Sequence, residues 1–274
     1  MSAIHEAILK ARDGTLGSVA VEEAVENEET PMPSAAVEFT VENEQAPMPN
    51  EPVPALEAAL SSDSEVGEQL RLLRAKLRGV ARKRACDCIG MVSAVAGEGK
   101  TTTAVGLACS AAKEAGKRVL LIEADVRKPS FEKLLELPVG PGLGEWLTET
   151  IEDVPLRELV DGPCLLTAGH LETPPVELLG SKRMRALLES ARASFDFVLL
   201  DCPPLLPIAD SVVLQDMVDG FLFVVRARWS PHDAIQRAFA NLKPETVLAV
   251  LFNDYRTVLP RYEAPAYRDY AKKL

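Results

Sequence analysis

A chain of 274 residues, 47% hydrophobic and 26% charged, can build one large α/β domain with an appendage. No run approaches the roughly 18 consecutive apolar residues of a membrane span, and the start, Met-Ser-Ala-Ile-His-Glu, lacks the basic-then-apolar order of a secretory leader, so neither a span nor export by that route is expected. The net charge of −11 belongs almost wholly to the stretch from Asp13 to Leu70, where fourteen acidic residues occur without a Lys or Arg; the rest is nearly neutral, which excludes a broad nucleic-acid footprint.

Residues 1–12 place Ile4, Ile8 and Ala11 at helical spacing and predict a short amphipathic helix, either a frayed terminus or a docking element. Residues 13–64, rich in Glu, Pro, Ala and Ser, predict a disordered acidic linker. It contains a decayed repeat (Val21 to Pro33 against Val37 to Pro49), too few copies for a solenoid. The next element is a helix running to about Arg84, with Val66, Leu70, Leu73 and Leu77 on one face and Arg71, Arg74, Lys76, Arg78, Arg82, Lys83 and Arg84 on the other. That basic face reads as a solvated surface, a subunit interface, or an attraction to anionic lipid.

From Ile89 strands and helices alternate. Strands are expected at 89–93, 118–124, 164–168, 196–201, 220–226 and 247–252, most of them continuous apolar runs such as Val119-Leu-Leu-Ile122. Such runs are buried on both faces, which predicts an α/β fold with a doubly wound, mainly parallel sheet over residues 65–254 and ligands at the carboxyl ends of its strands. The five cysteines (Cys86, Cys88, Cys109, Cys164, Cys202) show no metal-ligand spacing and read as reduced thiols packed as small apolar residues.

Three motifs fall at strand ends. Val92-Ser-Ala-Val-Ala-Gly97-Glu-Gly99-Lys100-Thr-Thr-Thr103 follows the first strand and opens a helix, the context of a phosphate-binding loop of modified Walker type. Gly97, Glu98, Gly99, Lys100, Thr101 and Thr102 are its phosphate-facing candidates, although Ala94 stands where the first Gly of the usual pattern would be. Asp125 follows the second buried run and can ligate Mg²⁺ or accept a proton, or simply cap its turn; it lies beside the loop if the two strands are neighbours. Asp201 closes Phe195-Asp-Phe-Val-Leu-Leu-Asp201-Cys-Pro-Pro204 and matches the second carboxylate of P-loop enzymes. The four tyrosines, Tyr255, Tyr262, Tyr267 and Tyr270, all lie in the tail 255–274, where they read as phosphate acceptors or as the aromatics of a packing strap.

On these residues the sequence resembles the bacterial tyrosine autokinases (BY-kinases) of capsule and exopolysaccharide synthesis, in their stand-alone cytoplasmic form. The resemblance spans about 64–274. It rests on Ala96-Gly-Glu-Gly-Lys-Thr101, on Leu120-Leu-Ile-Glu123-Ala-Asp125-Val-Arg127 with Glu123 in place of the family's first Asp, on Asp201-Cys-Pro-Pro, and on Glu68-Gln-Leu-Arg71-Leu-Leu-Arg74. Pro175-Val-Glu-Leu-Leu179, Asp210 and the tyrosine tail also fit. The resemblance implies ATP and Mg²⁺ as cofactors, with Thr101, Asp125 and Asp201 around the metal, Lys100, Asp125 and Asp201 as catalytic groups and Asn253 near the adenine. It implies a ring-like homo-oligomer contacted through Glu68, Arg71 and Arg74, and tail phosphorylation by a neighbouring subunit. It further implies a separate transmembrane polysaccharide chain-length adaptor, a tyrosine phosphatase, and a peripheral place at the inner face of the plasma membrane. Two other readings stand beside it. A positioning-type P-loop ATPase would carry a lysine where Val95 stands, and a catalytically weak ATP-binding scaffold is compatible with Glu123.

Overall fold

The computed structural model describes residues 64–81, 86–114, 116–171, 173–206 and 210–254. The expected helix over 1–12, the acidic linker and the tyrosine tail lie outside the described residues. Seven strands form one sheet: β1 (Cys88–Ser93), β2 (Val119–Glu123), β3 (Arg157–Glu158), β4 (Cys164–Leu166), β5 (Phe197–Asp201), β6 (Gly220–Arg226) and β7 (Val247–Asn253). Their spatial order is β3-β4-β2-β5-β1-β6-β7. All neighbours run parallel except β3 and β4. The six expected strands are present. The seventh, β3, is a two-residue edge pairing through Arg157 and Glu158, too short and too polar to leave a periodic signal.

The continuous apolar runs have a direct cause. Alternate residues of each central strand enter two separate cores, one on each face of the sheet. On β1, Cys88 and Val92 point to one core and Ile89 and Met91 to the other; on β6, Phe221 and Phe223 oppose Leu222 and Val224. With no face left to solvent, polar alternation has no place in these strands.

Helices α1 (Glu65–Ala81) and α2 (Lys100–Ala112) cover one face. Helices α3 (Phe131–Leu134), α4 (Leu143–Leu147) and α5 (Pro175–Leu179) are short connections, while α6 (Lys182–Ser194) and α7 (His232–Ala240) cover the other face. The start of α6 is capped by Ser181, whose Oγ accepts from the Met184 N–H at 3.1 Å, and its buried residues Met184, Leu187, Leu188 and Ala191 follow helical spacing.

α1 lies against α2. Leu70 fills a notch at Gly106, where a Cβ would stand 2.9 Å from the Leu70 Cδ1. Leu77 is buried beside it. The described helix differs from expectation in two respects. Val66, expected on the inner face, is 54% exposed, the buried stripe being centred on Leu70 and Leu77. Arg74, expected on the outer basic face, turns inward, donating to the Ser110 carbonyl and meeting Glu114 at 3.1 Å, with Arg78 on the same carboxylate. Glu68 and Arg71 stay outside and pair with each other at 2.6 Å.

Candidate nucleotide and phosphoryl-transfer site

β1 ends at Ser93 and the chain turns through 94–99 into α2. That turn needs positive φ at Gly97 (+85°) and Gly99 (+83°), which explains the two glycines. Lys100, the first residue of α2, is buried, and its Nζ lies 3.3 Å from Asp201 Oδ1 and 3.7 Å from Asp125 Oδ2. Asp201 is the last residue of β5, directly beside β1 and in register with Met91. The sequence left open whether β2 adjoins β1, and the structure shows that it does not. β5 lies between them, so Asp201 takes the place next to the loop and Asp125 stands one strand further out. Asp125 is still brought in, because the Asp201 carbonyl accepts the N–H groups of Ala124 (2.9 Å) and Asp125 (3.1 Å). Asp125 also caps its own turn, accepting from the Lys128 N–H at 3.3 Å.

Burial pushes both aspartates above the usual carboxylate range, opposed chiefly by the Lys100 ammonium. Asp201 Oδ2 is fully buried and meets no hydrogen-bond donor at bonding distance among the described residues, although the Thr101 hydroxyl acts on the same carboxylate and lowers its pKa. An orphaned buried carboxylate oxygen is costly unless something binds it. Together with Asp125 and the Thr101 hydroxyl it makes a set of hard oxygen donors suited to Mg²⁺.

Glu123 does something different. It is the last residue of β2 and 1% exposed. Its Oε1 accepts from the N–H groups of Ser130 and Phe131 (2.8 Å for Phe131), and its Oε2 accepts from the Ala168 N–H at 3.0 Å. The carboxylate thus pins the start of α3 to the strand end of β4. Burial raises its pKa and the three backbone donors oppose that rise. An Asp here would be one methylene too short to reach both partners.

The loop is held from outside by residues whose roles the sequence did not disclose. Glu98, 1% exposed, accepts from the Val95 N–H at 2.9 Å and from the Ser230 hydroxyl. Asn253 Nδ2 donates to the Glu98 carbonyl at 2.9 Å while its Oδ1 accepts from the Asp254 N–H at 2.9 Å. Arg226 Nη1 donates to the Gly97 carbonyl at 3.3 Å and its guanidinium pairs with Asp254 at 3.3 Å. Trp229 Nε1 donates to the Ala96 carbonyl at 3.3 Å, with the Arg226 guanidinium 4.9 Å from its ring centroid. The one available signal was position: Arg226-Ala-Arg-Trp-Ser230 leaves the carboxyl end of an expected strand, and only the structure shows that this strand adjoins β1. On the other side of the site Arg127 grips Asp210, itself 1% exposed, through Nε (2.5 Å) and Nη2 (3.2 Å).

The structure therefore gathers Gly97 through Thr102, Asp125, Asp201 and Asn253 at the carboxyl ends of β1, β2, β5 and β7. Glu68, Arg71 and Arg74 sit apart from them on α1, Arg74 reaching the far end of α2. The four tyrosines expected as phosphate acceptors lie outside the described residues. No helix among the described residues is long and apolar enough to cross a membrane.

Residues 89–263 match the CobQ/CobB/MinD/ParA nucleotide binding domain. The chain is 36% identical over 160 residues to tyrosine-protein kinase YwqD of Bacillus subtilis, covering 58% of this chain and 67% of that protein. It is 33% identical over 189 residues to the succinoglycan biosynthesis transport protein ExoP of Rhizobium meliloti, but spans only 24% of that longer protein and 62% of itself. Among solved structures, the kinase domain of the Escherichia coli tyrosine kinase ETK superposes with a TM-score of 0.64 at 26% identity, over 75% of this chain and 83% of that domain. The BceF tyrosine kinase domain superposes with a TM-score of 0.65 at 30% identity, over 72% and 81%. A nucleotide loop with two buried aspartates on its lysine, on this strand order and with these relatives, places the chain in the CobQ/CobB/MinD/ParA nucleotide-binding family and, within it, among the bacterial tyrosine-protein kinases.

Proposed function

We propose that the chain is an ATP- and Mg²⁺-dependent protein-tyrosine autokinase that phosphorylates Tyr255, Tyr262, Tyr267 and Tyr270 of a neighbouring subunit and so regulates exopolysaccharide or capsule polymerisation and export. The observation that carries this reading is Lys100 between Asp201 and Asp125 at the mouth of a phosphate loop. Backbone N–H groups of 97–102 bind the phosphate chain, and Lys100 stabilises charge on the transferred γ-phosphoryl group. Thr101, Asp125 and Asp201 are the residues that would hold Mg²⁺, which supplies charge neutralisation on the phosphates. Asp125, less deeply buried than Asp201, is placed to accept the phenolic proton as the tyrosine oxygen bonds to phosphorus and the bond to the ADP oxygen breaks.

Each phosphotyrosine adds about −1.5 to −2 charge, which loosens a homo-oligomeric ring by repulsion until a tyrosine phosphatase resets it. The ring contact is assigned to the outer face of α1 around Glu68 and Arg71, with Arg74 holding α1 on its own α2. A transmembrane polysaccharide chain-length adaptor would hold the kinase peripherally at the inner face of the plasma membrane.

Purified chain incubated with ATP and Mg²⁺, with phosphotyrosine mapped by mass spectrometry, tests the reading. Phosphate on the four tail tyrosines that is absent in Lys100→Met supports it. A second reading, an ATP-binding assembly scaffold, is favoured by the commitment of Glu123 to three backbone donors instead of the metal. Nucleotide binding without phosphotyrosine, even with an adaptor's cytoplasmic segment added, would select it.

A further inference from the structure

The phosphate loop of this chain is held by its carbonyls. In a trans peptide the C=O of one residue and the N–H of the next point in opposite directions. Ala96, Gly97 and Glu98 have their carbonyls bound, one after another, by the Trp229 indole (3.3 Å), the Arg226 guanidinium (3.3 Å) and the Asn253 amide (2.9 Å). The N–H groups of Gly97, Glu98 and Gly99 must therefore project away from those three side chains. Among the described residues these N–H groups donate to no protein acceptor. Positive φ at Gly97 and Gly99, with Glu98 between them outside that region, gives the alternating handedness of an anion-binding nest.

We propose that Trp229, Arg226 and Asn253 are positioning residues for the phosphate chain, aiming three successive loop N–H groups at it by holding the opposite ends of their peptide units. None of the three needs to touch the phosphates to do this. The fit is close: a Cβ on Gly97 would stand 3.2 Å from the Trp229 ring. The Arg226 pair with Asp254 and its contact with the Trp229 ring keep the guanidinium over the Gly97 carbonyl. Trp229 is 54% exposed, so its place over the loop is set by these contacts and not by burial in the core. The inference rests on nucleotide binding by this fold and not on the tyrosine-kinase reading.

The experiment is isothermal titration calorimetry on the full chain with Mg²⁺·ADP and, separately, with inorganic pyrophosphate. Trp229→Phe keeps an aromatic ring but removes the indole N–H together with the second ring; Arg226→Met leaves Trp229 intact, removes only the guanidinium donor and is the second, independent variant. Both are checked for native circular dichroism at the titration temperature. Aimed N–H groups predict that each variant weakens ADP and pyrophosphate alike, about three- to tenfold for the loss of one hydrogen bond. A ring that instead meets the nucleobase predicts pyrophosphate binding unchanged in both variants and ADP weakened only by the change at Trp229, and that result overturns the proposal. Folded variants that bind both ligands as tightly as the wild type overturn it as well. Loss of phosphotyrosine in some other variant would leave this test untouched, because no transfer is measured.

Discussion

Glu123→Asp separates a structural carboxylate from a catalytic one. The resemblance to tyrosine kinases places an Asp at this position, so restoring it is the natural route to higher turnover. The structure predicts the reverse for stability. Glu123 accepts from Ser130 and Phe131 on one side and from Ala168 on the other, in a site 1% exposed. A side chain shorter by one methylene reaches one side only. Losing at least one charge-assisted bond, with its buried N–H left unpaired, costs about 3 kcal/mol. For a folded unit of this size that lowers Tm by about 6–12 °C. The assay is a guanidinium titration of wild type, Glu123→Asp and Glu123→Gln without nucleotide, followed by ATP turnover on the same samples below their transitions. Gln keeps the reach but loses the charge and turns an amide N–H₂ toward a backbone donor, so it too is expected to be less stable than the wild type. An Asp variant as stable as the wild type and faster in turnover would refute the reasoning, since the three backbone bonds would then be incidental and the carboxylate would belong to the metal.

Other outcomes follow from the same geometry. Gly99→Ala puts a Cβ into the Asn253 amide at φ +83°, and is expected to lower ADP affinity at least about tenfold by calorimetry, with Asn253→Ala recovering part of the loss. Arg127→Met leaves the Asp210 carboxylate, 1% exposed, without its cation; because Arg127 itself is 41% exposed the loss falls below that of a fully buried pair, about 1–2 kcal/mol in denaturant, with most of it regained in Arg127→Met/Asp210→Asn. Burial pushes the Cys164 thiol up to about 11, with Glu158 reinforcing it. The thiolate is the reactive form, so iodoacetamide labelling of this half-buried thiol should be slow at pH 8, rise about tenfold per pH unit as the solution is made more alkaline, and quicken in Glu158→Gln.

Strand order is what the sequence could not supply. The apolar runs at Val119-Leu-Leu-Ile122 and Phe221-Leu-Phe-Val-Val225 announce buried parallel strands, because burial on both faces removes polar alternation. They say nothing of which strand lies beside which. That is why Asp125 could be placed at a strand end but not one strand further from the loop than Asp201. The phosphate loop was legible because Gly, Lys and Thr are required there by backbone shape and charge. Trp229 and Arg226 were not, since their work is done across more than 125 residues of sequence separation, through main-chain carbonyls that carry no residue signature. Glu123 was visible as a departure from a pattern, and only its three partners show that the longer arm has a use.

Helix α2 joins the two halves of the proposed activity. Its first turn holds Lys100 and Thr101, and its later turns receive α1: Leu70 in the Gly106 notch, then Arg74 on the Ser110 carbonyl and Glu114 just beyond the last turn. A helix of 13 residues is about 20 Å long and moves as a unit over that span. Gly106 has no side chain between α2 and Leu70, so a displacement of α2 at the phosphate loop is expected to be felt at Leu70. The outer face of α1, with Glu68, Arg71 and the exposed Val66 and Leu72, is the surface that a neighbouring subunit would meet. Coupling between nucleotide and assembly then requires one rigid helix and one packed contact, not a relay of side chains through the core. The inward turn of Arg74 follows the same logic: a cation that holds α1 on α2 ties the proposed assembly face to the helix that carries the nucleotide loop, which an outward arginine would not do.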